Sequence, residues 1–447
     1  MKSLVLLLGL MGVSAAAGDE ELVSWFHGVR PIFKENCVSC HRVEKPKHGL
    51  DLTTYTGVIK GSKDGSILSR HRLLESIQGP EPEMPPPDEG APLRPKEVAL
   101  IERWIAQGAL DDTPEGALAY MRPTEPPVYK SLPAIPAIAV SPDGKILAVS
   151  GHHEIVLWNA DATEVVGRLL GDSPRLESIE FSPDGKRLAA SGGIPYEFGE
   201  VQIWDVSSQK QLRSIKTSND VFYGISWSPD QHLLAIGGAD KLVRAFAVET
   251  GAEVMRCDNH IDWVFGTAFT VDGAQLVSVS RDHLVKLIDV KTGHLIDDIN
   301  RPRGPVFAIG RHPTESIVAF GGDSDRIFLH RMEPAGGRLS EREKNSKPLN
   351  FIREFEPVSG CNAIEFAPDG QSIATATMAG EVRLISVETG KRTAMANLES
   401  PVFDLVYQTA NIVVAAAQDG MLRWIDVEKA EILATRPGVP FQNVEPD

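Results

Sequence analysis

The sequence predicts two domains of different class: a small all-α domain, then an all-β propeller of seven blades. Three observations predict it. Apolar residues recur at helical spacing near both ends of the stretch 20–112. A strand–turn–strand phrase recurs seven times across residues 134–437. Between them, residues 113–133 hold Pro114, Pro123, Pro126, Pro127 and Pro133, a density that blocks helix and sheet and gives a semi-extended linker. Residues 438–447 are left as a C-terminal tail.

The chain has 447 residues, enough for two or three domains. Its net charge of −16 argues against nucleic acid or an anionic membrane as a partner. Residues 1–17 carry Lys2, an apolar run from Leu4 to Val13, and the small residues Ser14 to Ala17. That order predicts a secretory signal peptide. The run is too short to span a bilayer, so no transmembrane anchor is expected. Cys257 and Cys361 lie far apart in sequence and are expected to be buried, small apolar residues rather than a disulfide.

In the first region, Leu22, Trp25, Phe26, Val29, Ile32 and Phe33 predict an amphipathic helix that runs up to Cys37. Pro95 opens a second helix with Val98, Ile101, Trp104 and Ile105 on its apolar face, and Gly108 stops it. Cys37-Val38-Ser39-Cys40-His41 follows the first helix. A C-x-x-C-H run is the attachment motif of a c-type haem. Each cysteine sulfur forms a thioether with one vinyl group, and the histidine that follows turns its imidazole to the iron. Three groups within five residues reach one porphyrin face only from a single helical turn. A CxxC redox pair, or half a zinc site with a chance histidine, is the competing reading of the same residues.

A sixth iron ligand is expected on a loop between the two helices. The best candidate is Met84, in Glu83-Met84-Pro85-Pro86-Pro87, where prolines fix the backbone after the thioether. His48, His71 and Met121 are its rivals. Val29 to Phe33, Cys37 to His41, Gly49-Leu50-Asp51-Leu52, Met84-Pro85-Pro86 and Trp104 to Ala109 together resemble the planctomycete-type cytochrome c domain, over about ninety residues. The resemblance implies a class I cytochrome c fold and one covalently bound haem c, with His41 and Met84 as the axial ligands of its iron. The sequence departs from that family at Lys60 to Gly65, where the loop is less glycine-rich than expected.

In the second region, Ser141-Pro142-Asp143-Gly144 returns as Ser182 to Gly185, Ser228-Pro229-Asp230, Thr270 to Gly273 and Ala367 to Gly370. Degenerate copies stand at Gly310 to Pro313 and Val406 to Thr409, and most spacings are about 41–46 residues. Each unit reads as four short strands, and this period resembles the WD40 family. The resemblance implies a seven-bladed WD40-type propeller over about 300 residues. The polar network usual in that family is largely missing. The fourth unit keeps His260, Ser278 and Asp282, with Ile288 where tryptophan is usual, while Asp240 and Asp419 hold the turn position in two other units. These are expected to be structural. Glu431 to Thr435 matches the outer strands of earlier units, so the C-terminus is expected to complete its own blade. Ile194 to Gly199 is expected as an insertion in a b–c loop, and Glu333 to Asn350 as a charged loop on the opposite face.

The function this predicts is a periplasmic or otherwise extracytoplasmic electron carrier. Cys37, Cys40, His41 and Met84 would hold haem c, and the propeller would dock an unidentified redox partner or a substrate. Two alternatives stay open: a propeller oxidoreductase that uses the haem as electron acceptor, and a non-redox haem-containing sensor or interaction protein. The sequence shows no nucleophile motif and no clustered metal ligands. Its only propeller histidine pair, His152-His153, reads as a solvated b–c turn.

Overall fold

The computed structural model describes residues 22–38, 40–41, 47–68, 72–80, 82–86, 91–113, 123–334, 349–355 and 360–441. The expected leader, His71, Met121 and most of the insert between Glu333 and Asn350 lie outside them. The chain divides into two compact units, Met1–Leu118 and Ala119–Asp447.

Among the described residues the first unit holds four short α-helices: α1 (Arg30–Asn36), α2 (Tyr55–Lys60), α3 (Arg72–Ile77) and α4 (Pro95–Ala106). The predicted first helix begins as a wide π-type turn over Trp25–Val29, in which the Val29 amide donates to the Ser24 carbonyl five residues back. Ser24 caps it by accepting the His27 amide. Pro31 sits in the first turn of α1, where its missing N–H costs nothing. The α4 helix matches its expected span, with Gly108 at φ 96 beyond its end. Trp25 stacks on Trp104 at 5.2 Å between ring centroids and meets Phe33 and Tyr55 edge-on. Both tryptophans are fully buried. The Asp112 carboxylate accepts the Phe26 amide and the Gln107 side chain accepts the Val23 amide, so the two ends of the unit are tied together.

The second unit is a seven-bladed β-propeller. Its strands run from β1 (Ile138–Val140) to β28 (Ile432–Pro437) and form seven four-stranded antiparallel sheets, each made of consecutive strands. The recurring phrase works as a turn device. Ser141 donates to the Asp143 carboxylate and accepts the Ile146 amide, while Asp143 accepts the Lys145 amide. Ser182, Ser228 and Thr270 repeat those bonds with Asp184, Asp230 and Asp272. The hydroxyl bonds hold each of these aspartates below the ordinary carboxylate range.

The last blade is closed by β28, so the C-terminus completes its own sheet. Two segments differ from expectation. Pro127 to Pro133, expected in the linker, packs on the propeller: Tyr129 is buried, bridges to Phe441 and donates to Glu154 at 2.6 Å. Gly438 and Val439, expected as tail, are also packed, with the Trp158 indole donating to the Gly438 carbonyl. A proline-rich composition marks where regular structure stops, and says less about where packing stops. The Ile194–Gly199 insertion lengthens a β-hairpin: Ile194 pairs with Phe198 and Gly193 with Gly199. Cys257 and Cys361 are buried free thiols.

Candidate functional site

The α1 helix delivers the motif. Its last turn runs on past Asn36 as the Cys37 amide donates to the Phe33 carbonyl at 2.8 Å. The amides of Cys40 and His41 then both donate to the Cys37 carbonyl, at 3.2 and 3.0 Å. This is the single turn that the spacing requires. Two further bonds pin it to the chain that follows, from the Lys47 amide to Cys40 and from the Leu52 amide to His41.

Cys37, Cys40, His41 and Met84 line one cavity of about 290 Å³. Its walls include Leu50, Leu52, Ile67, Leu73 and Ile77, an apolar lining suited to a flat hydrophobic group. Burial, with the neighbouring Cys40, pushes the Cys37 thiol up to about 12. A thiol held protonated at neutral pH is a poor redox nucleophile, so Cys37 is not poised as the attacking thiol of a CxxC redox pair. Among the described residues no group of three or more His, Cys, Asp or Glu side chains is placed to hold a metal ion. Burial is the largest influence on His41 and keeps its imidazole below the usual range, hence neutral with a lone pair to give. Its buried Nδ1 has no hydrogen-bond partner among the described residues.

Met84 is half-buried and packs against the core of the unit. Its amide donates to the Ser76 carbonyl of α3 at 2.9 Å, which fixes the loop beside the cavity. His48 lines the same cavity but is exposed. The donor set therefore fits a haem: two thiols and a neutral imidazole on one turn, a thioether facing the same space, and an apolar wall.

Sequence reasoning missed the rim. Ser62, Asp64 and Arg72 line the cavity, and Arg72 donates to the Asp64 carbonyl at 3.0 Å. The departure at Lys60 to Gly65 was the one signal. Ser62 and Gly65 form a tight bridge there. Gly61 sits at φ 76, where an added Cβ would collide with the Gly65 carbonyl.

In the propeller, His260 contacts Asp282 and Ser278 at 2.8 Å each, wholly buried, as a structural network. The blades that lack that set substitute their own. Asp240 pairs with Arg244, both buried. Glu200 accepts from Ser173 and Gln202. Glu154 takes Tyr129 and Arg168. His152-His153 forms the turn between β2 (Ile146–Ser150) and β3 (Glu154–Asn159), with His152 exposed.

Residues 37–88 match the family described as planctomycete cytochrome C. Residues 209–246 and 251–289 match the WD domain, G-beta repeat. Among curated proteins, the chain is similar to eukaryotic translation initiation factor 3 subunit I of Bombyx mori, 26% identical over 184 residues, which cover 40% of this chain and 54% of that protein. The same subunit of Culex quinquefasciatus is 24% identical over 186 residues, 40% of this chain and 56% of that one. Anaphase-promoting complex subunit cdh1 of Dictyostelium discoideum is 29% identical over 147 residues, 32% of this chain and 19% of that one. The chain thus spans about half the length of the first of these relatives. No helix among the described residues is long and apolar enough to cross a membrane. The matches join a haem-binding type of domain to a propeller of the protein-interaction type.

Proposed function

We propose that this chain is an extracytoplasmic c-type cytochrome that relays single electrons, with its propeller as the docking platform for a redox partner. One observation carries the reading: two thiols, a neutral imidazole and a thioether line a single apolar cavity. Cys37 and Cys40 would hold haem c through thioethers, and His41 and Met84 would ligate its iron, in a domain of class I cytochrome c type. When bound, the haem supplies a reversible one-electron couple, whose potential a Met/His pair raises. The chain's own residues would hold the group: Leu50, Leu52 and Ile77 would shield it from water, and the turn bonds to Cys37 would orient His41.

The leader-like segment at residues 1–17 supports export, since covalent haem attachment in bacteria takes place outside the cytoplasm. The three similar proteins are named as subunits of an initiation factor or of the anaphase-promoting complex. Those names support protein docking as the propeller's role, and leave the partner's identity to experiment.

The test is direct. The full chain, expressed with and without haem-maturation machinery, is extracted with acidified organic solvent. Colour that stays with the protein, and is lost in Cys40→Ser, supports the proposal; colour that leaves with the solvent, or never forms, overturns it. A separate assay for oxygen, carbon monoxide or nitric oxide binding separates a relay, whose two axial positions are filled, from a sensor with an open one.

A further inference from the structure

Six of the seven innermost strands carry a β-bulge at the same place. The pairing register skips at Glu177, Phe265, Phe307, Asn362 and Phe403, and in β9 (Phe222–Trp227) at Tyr223-Gly224. A bulge re-aims the side chain of its extra residue. Here all six are aimed at one cavity of about 570 Å³ at one end of the channel, completed by Pro136 from the first blade. Four of the six are aromatic. Tyr223 lies 5.0 Å from Phe265 and Phe265 lies 5.3 Å from Phe307, ring centroid to ring centroid, so three blades present a continuous arc. These rings are half-buried, and their shared position at the mouth is more than core packing needs.

Beneath the ring the channel turns acidic. Glu365 and Asp404 line this cavity and also the next one down, again about 570 Å³, where Glu180 joins them. The surface these carboxyls keep faces the lumen. Asp404 accepts the Ile138 and Leu405 amides, and Glu180 accepts the Trp227 amide. Among the described residues, the Glu365 carboxylate has no hydrogen bond or ion pair. Arg311 is, among the described residues, the one cation lining the lower cavity, and Arg175 at the mouth is already paired with Glu177.

We propose that this end of the propeller channel binds an organic cation, an ammonium or guanidinium group on a slender apolar stem, that passes the aromatic ring and sets its charge against Glu365. The inference deepens the reading of the propeller as a docking unit and rests on it. Aromatic faces attract a cation by their quadrupole, more strongly once it is desolvated. An unpaired carboxylate below supplies the countercharge, and a 570 Å³ space lies within the usual size of ligand clefts. Burial raises Glu365, Glu180 and Asp404 to about 8, 7 and 7, helped for Glu365 by the charges of Asp404 and Glu180, so a cation seated among them drives a proton off. Arg311 opposes this from its own strand, while Tyr407, Tyr223, Glu177 and Arg175 are the other charged and titratable groups among the described residues that line the two cavities.

The experiment is calorimetric titration of the full haem-loaded chain at pH 7.5 with two probes: hexylammonium, as a free amine, and acetyl-Gly-Gly-Lys-Gly-Gly-amide, as a presented side chain. Hexanol and the same peptide with an acetylated lysine are the neutral controls. The expected result is one saturable site for at least one cation, with proton release on binding, and no binding of either control. The tighter of the two cations identifies the source. Glu365→Gln and Phe307→Leu should each weaken binding at least tenfold while circular dichroism shows an intact propeller. Absence of saturable binding by both cations, or affinity unchanged in both variants, overturns the proposal. A chain that binds the cation but carries no covalent haem would end the electron-relay reading alone, and a haem-loaded chain that binds neither cation would end this one alone.

Discussion

Met84 and His48 both face the cavity beside Cys37 and His41, and the two side chains can be told apart on physical grounds. Met84 is half-buried on a loop held to α3 through Ser76. His48 is exposed in the middle of the short turn Lys47–Gly49, at φ 55. Ligation needs a donor whose freedom is already restricted, and that favours the thioether. Met84→Ala should therefore abolish the weak sulfur-to-iron charge-transfer band of the oxidised chain and lower its reduction potential. His48→Ala should leave both unchanged. A band that survives in Met84→Ala, or disappears in His48→Ala, assigns the ligand to another residue. The motif itself was legible because covalent attachment fixes spacing along the chain. The rim at Asp64 and Arg72 was signalled only by the glycine-poor loop at Lys60 to Gly65, because their contact is made across that loop through a backbone carbonyl.

The elements were legible where one turn repeats. Ser141-Pro142-Asp143-Gly144 and its copies encode the same set of bonds, and that set forces two strands to meet at a fixed register. The polar networks inside the blades were less legible, because each draws on different chemistry from different offsets. His260–Asp282–Ser278 could be read from the sequence. Glu154–Tyr129–Arg168 could not, since Tyr129 belongs to a segment that reads as linker. These networks differ in what they contribute. His260 and Asp282 have no exposed side-chain surface, so His260→Ala strands a buried carboxylate and should cost about 3 kcal/mol. Arg423 and Asp419 form the corresponding pair in the last blade, with Asp419 35% exposed, and solvent screening limits Arg423→Ala to about 1 kcal/mol or less. Urea midpoints followed by β-sheet circular dichroism check the ordering. Equal losses in the two variants would show that burial does not set the worth of a blade network.

At the scale of the whole molecule, seven sheets share one channel, and closing the ring forces charges from distant blades together. Glu180 and Glu365 stood in the sequence as one unremarked residue in each repeat, before Phe181 and Phe366. Only closure sets them and Asp404 around the same lumen. That crowding has a consequence for stability. Burial, and for Glu365 also the charges of Asp404 and Glu180, lifts the three carboxyls to about 7, 8 and 7. Their folded values therefore lie above their unfolded ones, and between the ordinary carboxylate range and pH 8 the folded chain holds more protons than the unfolded chain. Stability then falls as pH rises across that window. The turn aspartates act in the opposite direction but elsewhere: Asp205, held to about 2 by bonds from Ser208 and Ser207, loses its contribution only as pH falls below the ordinary carboxylate range. The propeller should accordingly show a higher urea midpoint at pH 5.5 than at pH 8.5, with the decline already under way at pH 5.5 and levelling off above about pH 8. The three groups titrate as a coupled set, so Glu365→Gln removes its own charge and also eases the ionisation of Asp404 and Glu180. The variant's advantage over the wild type should be smaller at pH 5.5 than at pH 8.5. A wild-type midpoint that is flat over this range, or a variant that declines just as steeply, would mean that solvent in the channel screens the trio.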